Sequence, residues 1–355
     1  MSAQFINPPL PLVSVVITNY NYGRYLPESV RSSLDQTYPN IEVIVVDDGS
    51  TDDSRQVIAG FGGDVTARYN DHRGQCGAVN TGVAASRGDI VIFLDADDFL
   101  VSDAVQRHVD AFVANPSITK SQGYLRCVDA DGRPLERKLP YRLSPSGNYR
   151  EQILKKGPWT CEQAWTSGNA WARGFLEQVF PLPEHVDNRV FPDGCLNPLA
   201  ALFGPIATLS EPVACYRIHG LNHGPIRNEF TLPSLRLMLT RMHNNFEFVA
   251  DRATRIGLSV PLDYWDKWKV SWKSNLSLYA VSLMDESQAP PAFGAMVWSP
   301  FKARGKGVLK ASGLALALAG VRWLPRRFKL PAIKRLLGIR QQTMAGVTGR
   351  TQVNG

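Results

Sequence analysis

Asp89-Ile-Val-Ile-Phe-Leu-Asp-Ala-Asp-Asp98 is the stretch on which the fold assignment depends. Its apolar run, 90–94, is typical of a strand buried on both faces, because helices cover both sides of a parallel sheet. Aspartates follow at once. A run of this kind that ends in carboxylates predicts a buried strand whose carboxyl end faces a ligand.

Two earlier segments have the same character. Val13–Thr18 and Ile41–Val46 are rich in β-branched residues, which favours two further buried strands. Residues 24–36 and 75–86 carry apolar side chains at helical spacing. Strands that alternate with helices predict an α/β fold with a mostly parallel sheet flanked by helices.

Each of these strands stops at polar residues. The ends are Thr18-Asn19-Tyr20, Asp47-Asp48-Gly49-Ser50 and Asp95-Ala96-Asp97-Asp98. In open α/β sheets, ligands bind outside the carboxyl ends of the strands, so the three ends together predict a ligand site. Each end by itself is also compatible with an ordinary turn, where Asp and Gly are common.

Asp95 and Asp97 are spaced so that two carboxylates can serve one cation and a neighbouring sugar hydroxyl. Mn²⁺ and Mg²⁺ are commonly held by one or two carboxylates together with the phosphates of a substrate. The alternative is a capping or turn role for Asp97 or Asp98.

Four motifs together resemble the family 2 glycosyltransferases, which have the GT-A (nucleotide-diphospho-sugar transferase) fold. They are Val13–Asn21, Val45–Asp52, Asn80–Gly82 and Gly88–Asp98, in the order and spacing of the family. The resemblance implies a GT-A domain at 1–225. Helical spacing resumes beyond it and predicts a helical C-terminal extension at 226–300.

The resemblance assigns the nucleotide side of the site. It implies that Thr18 and Tyr20 line the base pocket and that Asp48 accepts a hydrogen bond from a base N–H. Such a bond selects uracil or thymine, because cytosine has no ring N–H at that position. Asp47 is an alternative for this role. Asp95 would contact the ribose, and Asp97 would hold Mn²⁺ or Mg²⁺ on the diphosphate.

The sugar and acceptor side is implied by two later segments. Thr166–Ala170 resembles the glycine loop that closes on the donor sugar, which implicates Gly168 and Asn169 in donor binding. Phe191–Gly194 occupies the place of a Glu-Asp pair whose second acid is the general base, and Asp193 keeps that acid. Proline replaces the glutamate. A turn role is the alternative for Asp193.

Tyr216–His219 resembles the segment in which GT-A enzymes carry a C-terminal histidine, and implies that His219 is a second metal ligand. A lone histidine is also common as a structural residue. The surrounding residues, 159–224, show little periodicity and are predicted to be loop-rich, forming one wall of a cleft.

The charge is unevenly distributed. The chain has 355 residues, 39 of them basic and 32 acidic, but after Glu286 it has twelve Lys and Arg and no acidic residue. Subtracting these twelve leaves 27 basic against 32 acidic residues, so the net charge of +7 belongs to one terminal segment and no nucleic-acid partner is predicted.

That segment, 301–355, is predicted to be a basic amphipathic tail. Its apolar run, 311–321, is too short to cross a bilayer, which takes about 20 residues. Basic residues flank the run, and an amphipathic stretch follows Pro331. The pattern favours a helix on an anionic membrane surface, with packing on the enzyme body as the alternative.

The predicted location is cytoplasmic. The 5 cysteines are far apart and form no Cys-x-x-Cys pair, which suits a reducing compartment. The first residues lack the basic and apolar regions of a secretory signal. If the tail binds lipid, we expect a peripheral position on the cytoplasmic face of the inner membrane.

The function expected from these features is inverting, metal-dependent transfer of a sugar. The donor would be a UDP- or dTDP-sugar, and the acceptor a saccharide or lipid-linked saccharide in polysaccharide or glycoconjugate synthesis. A nucleotidyltransferase is one alternative, although the glycine-rich basic loop expected after its first strand is replaced by Asn19–Gly23. A non-catalytic scaffold that binds sugar nucleotides is the other, favoured by the missing glutamate before Asp193.

Overall fold

The structure is a computed structural model of the chain. It describes residues 10–157, 160–184, 191–219, 231–259, 279–284 and 317–336. The predicted domain boundaries after residues 225 and 300 lie outside these residues, and so does most of the predicted tail.

The described residues contain one nine-stranded sheet. Its strands are β1 (Val13–Asn19), β2 (Ile41–Asp47), β3 (Thr66–Tyr69), β4 (Ile90–Asp95), β5 (Phe99–Leu100), β6 (Lys120–Val128), β7 (Pro134–Leu139), β8 (Asn169–Ala172) and β9 (Ile206–Arg217). The described residues also form the helices α1 (Leu26–Leu34), α2 (Ser54–Ala59), α3 (Gly74–Ala85), α4 (Ala104–Ala114), α5 (Arg150–Lys156), α6 (Arg173–Val179), α7 (Pro192–Phe203) and α8 (Leu232–Arg255).

The strand order is β3-β2-β1-β4-β8-β6-β9-β5, with β7 paired to β6. The first four strands are parallel, as the alternation of strands and helices predicts. β8 then joins β4 and β6 in antiparallel pairing, so the sheet is mixed. Flanking helices complete the predicted α/β class.

The core lies along β1 and β4. Every residue of β1 is buried, which matches a central strand covered on both faces. On α3, Gly82 approaches β1 so closely that an added Cβ would lie 2.2 Å from Cγ1 of Val16. A glycine is therefore required where this helix crosses the central strand.

The chain divides into two compact units. The first comprises 1–222 and 237–269 and includes the sheet and most of α8, and the second comprises 223–236 and 270–355. In the first unit, α8 is attached to the C-terminal end of α6, because Arg252 Nε donates to the Val179 carbonyl at 2.9 Å. Among the described residues, no helix has the length and apolar character needed to span a bilayer.

Gly82→Ala is expected to lower the free energy of unfolding by roughly 1–2 kcal/mol. Overpacking in a core costs about 1–3 kcal/mol, and the better helix propensity of alanine offsets part of that cost. Denaturant unfolding measures the difference. Gly63→Ala is the control, because a Cβ there meets nothing within 4 Å. Equal stability of the two variants would contradict the close approach of α3 to β1.

Candidate functional site

The polar ends of the first strands meet at one edge of the sheet. Thr18 is the register partner of Asp95, and Asn19 is the partner of Asp47. The structure therefore brings together the strand ends that the sequence predicts to form a site.

The aspartates after β4 are held by a hydrogen-bond network. Asp95 Oδ1 accepts from Gln75 Nε2 at 2.9 Å, and the Thr18 hydroxyl also donates to this carboxylate. Ser167 Oγ accepts from the Asp95 N–H at 3.2 Å and donates to Asp98 Oδ2 at 2.7 Å. The loop before β8 is thus attached directly to the acidic segment.

Arg217, at the end of β9, fixes the backbone of the same segment. Its N–H donates to Asp98 Oδ1 at 3.0 Å, and its Nε donates to the Asp97 carbonyl at 2.9 Å. Its guanidinium is buried, lies over the Tyr25 ring at 4.9 Å and pairs with Glu28. This arginine holds Asp97 and Asp98 in place, while its own charge is paired with Glu28.

Asp97 and His219 are in direct contact. Asp97 Oδ2 lies 2.9 Å from His219 Nε2, and both side chains are largely buried. Tyr22 packs edge-on against the imidazole with ring centroids 5.5 Å apart, which fixes the ring orientation. Two residues predicted separately as metal ligands are therefore neighbours.

This pair fits a divalent cation that also binds phosphate. Carboxylate oxygen and imidazole nitrogen are both ligands of Mn²⁺, and carboxylate oxygen is a ligand of Mg²⁺. Within the described part of the chain, no group of three or more His, Cys, Asp or Glu side chains is arranged to hold a metal alone. Further ligands would have to come from a substrate or from water.

Burial and mutual repulsion perturb the carboxylates. Burial, together with the charges of Asp97 and Asp193, raises the pKa of Asp95 to about 8. Burial, together with the charges of Asp97 and Asp95, raises the pKa of Asp98 well above the usual carboxyl range. A cation or a hydrogen-bond donor would relieve this repulsion, so the cluster favours a ligand that carries either.

Asp193 lies in the first turn of α7, partly buried. Pro192 begins the helix, a position that suits proline because its missing N–H has no helical partner. The carboxylate accepts from the N–H of Gly194, and burial raises its pKa. Its charge acts on Asp95, so the candidate base and the acidic segment share one site.

Helix α8 supports this turn. The Asn245 side chain lies against Gly194, where an added Cβ would come within 2.0 Å of Asn245 Nδ2. Cys195 Sγ donates to Asn245 Oδ1 at 3.5 Å. A side chain at Gly194 would therefore force the Asn245 side chain to move.

Gly168 and Asn169, predicted to contact the donor, are buried and face the protein. An added Cβ on Gly168 would lie 2.8 Å from the Gly123 carbonyl. Asn169 Oδ1 accepts from Lys120 Nζ at 2.8 Å, and Nδ2 donates to the Trp165 carbonyl at 2.6 Å. Both residues shape the loop, and a direct contact of either with a donor stays a prediction.

Asp48, predicted to bind the base, caps the start of α3. Its Oδ1 accepts from the Arg73 N–H at 2.9 Å and from Asn70 Nδ2 at 3.2 Å, and its Oδ2 accepts from the Gly74 N–H at 2.8 Å. The alternative, Asp47, is also hydrogen-bonded: its Oδ1 accepts from Asn19 Nδ2 at 2.8 Å and its Oδ2 from the Ser50 N–H at 3.2 Å. Base recognition by Asp48 stays a prediction, and its structural role is an additional finding.

Tyr20 lies beside this cap and is partly exposed. Its ring stacks on His72, with centroids 4.2 Å apart and the planes inclined by 28°. An exposed aromatic pair next to hydrogen-bonding loops offers a flat surface for a planar ring.

Sequence reasoning did not single out Gln75, Ser167 or Arg217. Ser167 and Arg217 lie inside segments that the sequence had marked, next to Gly168 and His219. Their short distance in the sequence from a candidate site residue was a signal that could have found both. Gln75 lies at the start of the helix predicted at 75–86, and only the packing of α3 against β1 and β2 brings it to Asp95.

Comparison with known proteins identifies the family. Residues 14–168 match the family described as Glycosyl transferase family 2. An uncharacterized glycosyltransferase of Nostoc sp. is 34% identical over 255 residues, which cover 71% of this chain and 78% of that protein. The chain belongs to glycosyltransferase family 2 and is a transferase, as the sequence motifs imply.

Two further comparisons are more distant. Chondroitin synthase of Escherichia coli is 27% identical over 275 residues, 76% of this chain but 35% of that protein. The first 349 residues of TarS from S. aureus, in complex with UDP-GlcNAc, superpose with a TM-score of 0.50 at 16% identity, covering 92% of this chain and 90% of that one. The latter likeness confirms the GT-A fold.

Asp48→Ala is expected to lower the free energy of unfolding by about 1–3 kcal/mol, because buried N–H groups at the start of α3 lose their acceptor. Denaturant unfolding at neutral pH measures this loss. Asp71→Ala, at an exposed aspartate of the same loop, is the matched control. If both variants keep the stability of the wild type, Asp48 is not the cap of α3.

Proposed function

We propose that this protein transfers a sugar from a UDP- or dTDP-sugar to a saccharide or lipid-linked saccharide, with inversion and with a divalent cation. The observation that carries the proposal is the contact of Asp97 with His219, 2.9 Å apart at the carboxyl end of β4 and beside Asp95. This contact supports a metal site at the strand end where a GT-A enzyme would need to hold a diphosphate.

The donor would lie across the ends of β1 and β4. Tyr20, stacked on His72, offers a surface for the base, whose pocket Thr18 would also line. Asp95, the register partner of Thr18, would contact the ribose. A carboxylate that accepts from an imide N–H would select uracil or thymine. The UDP-GlcNAc bound to the TarS fragment is consistent with a uridine donor.

Asp97 and His219 would hold Mn²⁺ or Mg²⁺. When bound, the cation stabilises the negative charge that develops on the departing diphosphate. Arg217 keeps the backbone carbonyl of Asp97 hydrogen-bonded and so orients the residue toward His219.

Asp193 would act as the general base. Its carboxylate takes the proton of the acceptor hydroxyl while the acceptor oxygen bonds to the anomeric carbon. The bond from that carbon to the diphosphate oxygen breaks, and its electron pair leaves with the nucleoside diphosphate. A single displacement inverts the configuration, so an α-linked donor gives a β-linked product.

Trp165 is a candidate contact for the acceptor. It is 40% exposed, and its ring packs edge-on against Tyr216 with centroids 5.1 Å apart. It stands directly before the loop that carries Ser167, which binds Asp95 and Asp98. An indole held in this way can pack against the apolar face of a sugar ring, which supports a saccharide acceptor.

Asp97→Asn is expected to reduce transfer by about 10²-fold or more, because the amide keeps the shape but loses the charge that attracts the cation. Release of nucleoside diphosphate in the presence of Mn²⁺ measures turnover. His219→Ala should reduce turnover less, since water can replace one ligand. Asp110→Asn on α4 is the control. Full turnover by Asp97→Asn, or in excess chelator, would contradict the metal role.

Asp193→Asn is expected to reduce kcat by roughly 10²-fold or more while leaving donor affinity unchanged. The base accepts a proton only when ionised, and burial raises its pKa, so wild-type kcat should fall on acidification from a higher pH than for an ordinary carboxyl. Initial rates against pH and donor titration measure the two effects. Normal kcat with weakened donor binding would instead make Asp193 a donor-site residue.

The second unit supports a peripheral contact with an anionic membrane. Trp323 is 84% exposed and Phe328 is 47% exposed, and Arg326 and Arg327 lie exposed between them. Basic residues attract anionic headgroups, at about 1 kcal/mol each, and tryptophan favours the membrane interface. Such a contact would bring the enzyme to a lipid-linked acceptor.

Replacement of Arg326 and Arg327 by Gln, with Trp323→Ser, is expected to abolish co-sedimentation with phosphatidylserine vesicles. Binding of the wild type should weaken with salt, because the screening length is about 8 Å at physiological ionic strength. Arg133→Gln with Arg137→Gln removes the same charge from the β6–β7 hairpin and is the control. Equal sedimentation of both variants would contradict a contact through this segment.

A further inference from the structure

Lys120, the first residue of β6, has a fully buried side chain. Its Nζ donates to Asn169 Oδ1 at 2.8 Å and to Asn197 Oδ1 at 2.5 Å, and lies 5.1 Å from the centre of the Trp171 ring. A buried ammonium is costly unless hydrogen bonds compensate it. These partners are amide oxygens and an aromatic face, which hold the amine without forming an ion pair.

The two asparagines belong to the two elements that bear the candidate chemistry. Asn169 directly follows the 166–168 loop, and Asn197 lies on α7 one turn after Asp193. Their amide nitrogens both donate to the Ala164 carbonyl, at 3.2 Å and 2.9 Å. Lys120 therefore closes a network that joins β6, the loop and α7.

The network is also coupled electrostatically to Asp193. Lys120 lowers the pKa of Asp193 against the effect of burial, and Asp193 in turn favours the charged amine. Burial lowers the pKa of Lys120 to about 7. The other titratable groups that act on this pair or feel its charge are Cys76, Asp95, His108, Cys161 and Cys195.

We infer that Lys120 is a positioning residue for the transfer reaction: through Asn169 and Asn197 it fixes the loop relative to α7, and it supplies positive charge to the Asp193 carboxylate. The inference rests on the proposed role of Asp193 as general base. A residue needed only to fill space would not require an amine here, because methionine has similar length and no desolvation cost.

Lys120→Met tests this role in the full-length chain, with Mn²⁺ and a nucleotide-sugar that the wild-type protein turns over. We expect the acid limb of the kcat–pH profile to move up by about one pH unit, so that kcat falls about tenfold at pH below the limb and recovers above it. Donor affinity should not change. Lys138→Met, the same substitution at an exposed lysine of β7, should leave the profile in place.

An acid limb that stays at the wild-type pH in a folded Lys120→Met protein would overturn the inference, whether or not kcat falls, because a purely structural role lowers kcat at every pH. If Lys120→Met does not fold, the kcat–pH profiles of Lys120→Arg and Asn197→Leu test the inference instead. Arginine keeps the charge and should keep the limb in place, whereas loss of one amide acceptor should move it upward. The opposite pattern would overturn the inference.

Failure of the proposed function gives a different result. A wild-type protein that turns over no nucleotide-sugar, or an Asp193→Asn variant with normal kcat, removes the base itself. If only the inference about Lys120 is wrong, the Asp193→Asn variant is still inactive, and the acid limb of the Lys120→Met profile stays at the wild-type pH.

Discussion

The hydrogen bonds of Arg217 to the segment after β4 are the interaction on which the candidate site depends. Asp97 and Asp98 are buried close to Asp95, where like charges repel strongly. Arg217 donates to Asp98 and to the Asp97 backbone, and Glu28 balances its own charge. Because Arg217 ends β9, the acidic segment acquires its geometry only when that strand has joined the sheet. His219 follows the end of the same strand and therefore lies against Asp97.

The site holds charges that a stable core would avoid. Asp95 has its pKa raised to about 8, and Lys120 on the other side of the loop has its pKa lowered to about 7. Both shifts mean that burial disfavours the charged form of the group. Strain of this kind is tolerated where a ligand or a reaction requires it, and a bound cation would compensate the charge of the carboxylates. The 166–168 loop and α7 are held by the neutral amides of Asn169 and Asn197, which orient Lys120 without adding charge.

The parts of the fold that follow long local patterns were predictable. The predicted strands at Val13, Ile41 and Asp89 correspond to β1, β2 and β4 within a residue at each end, because buried parallel strands have continuous apolar runs. The prediction of a loop-rich stretch at 159–224 was wrong for its described residues, which include β8, α6, α7 and β9. β8 is only four residues long, and α7 contains an internal proline, so neither has enough periodicity to be recognised.

The sequence by itself determined the family, the α/β class and the acidic strand end, since each is recorded in contiguous residues. The tertiary structure alone decided which polar groups meet. Asp97 and His219 are 122 positions apart, and Asp48 and Asn169 turn toward the protein, where backbone groups and Lys120 engage them. The reason is physical. A buried polar side chain must bond to whatever group the neighbouring strand or helix presents, and strand order, not local sequence, sets that neighbour.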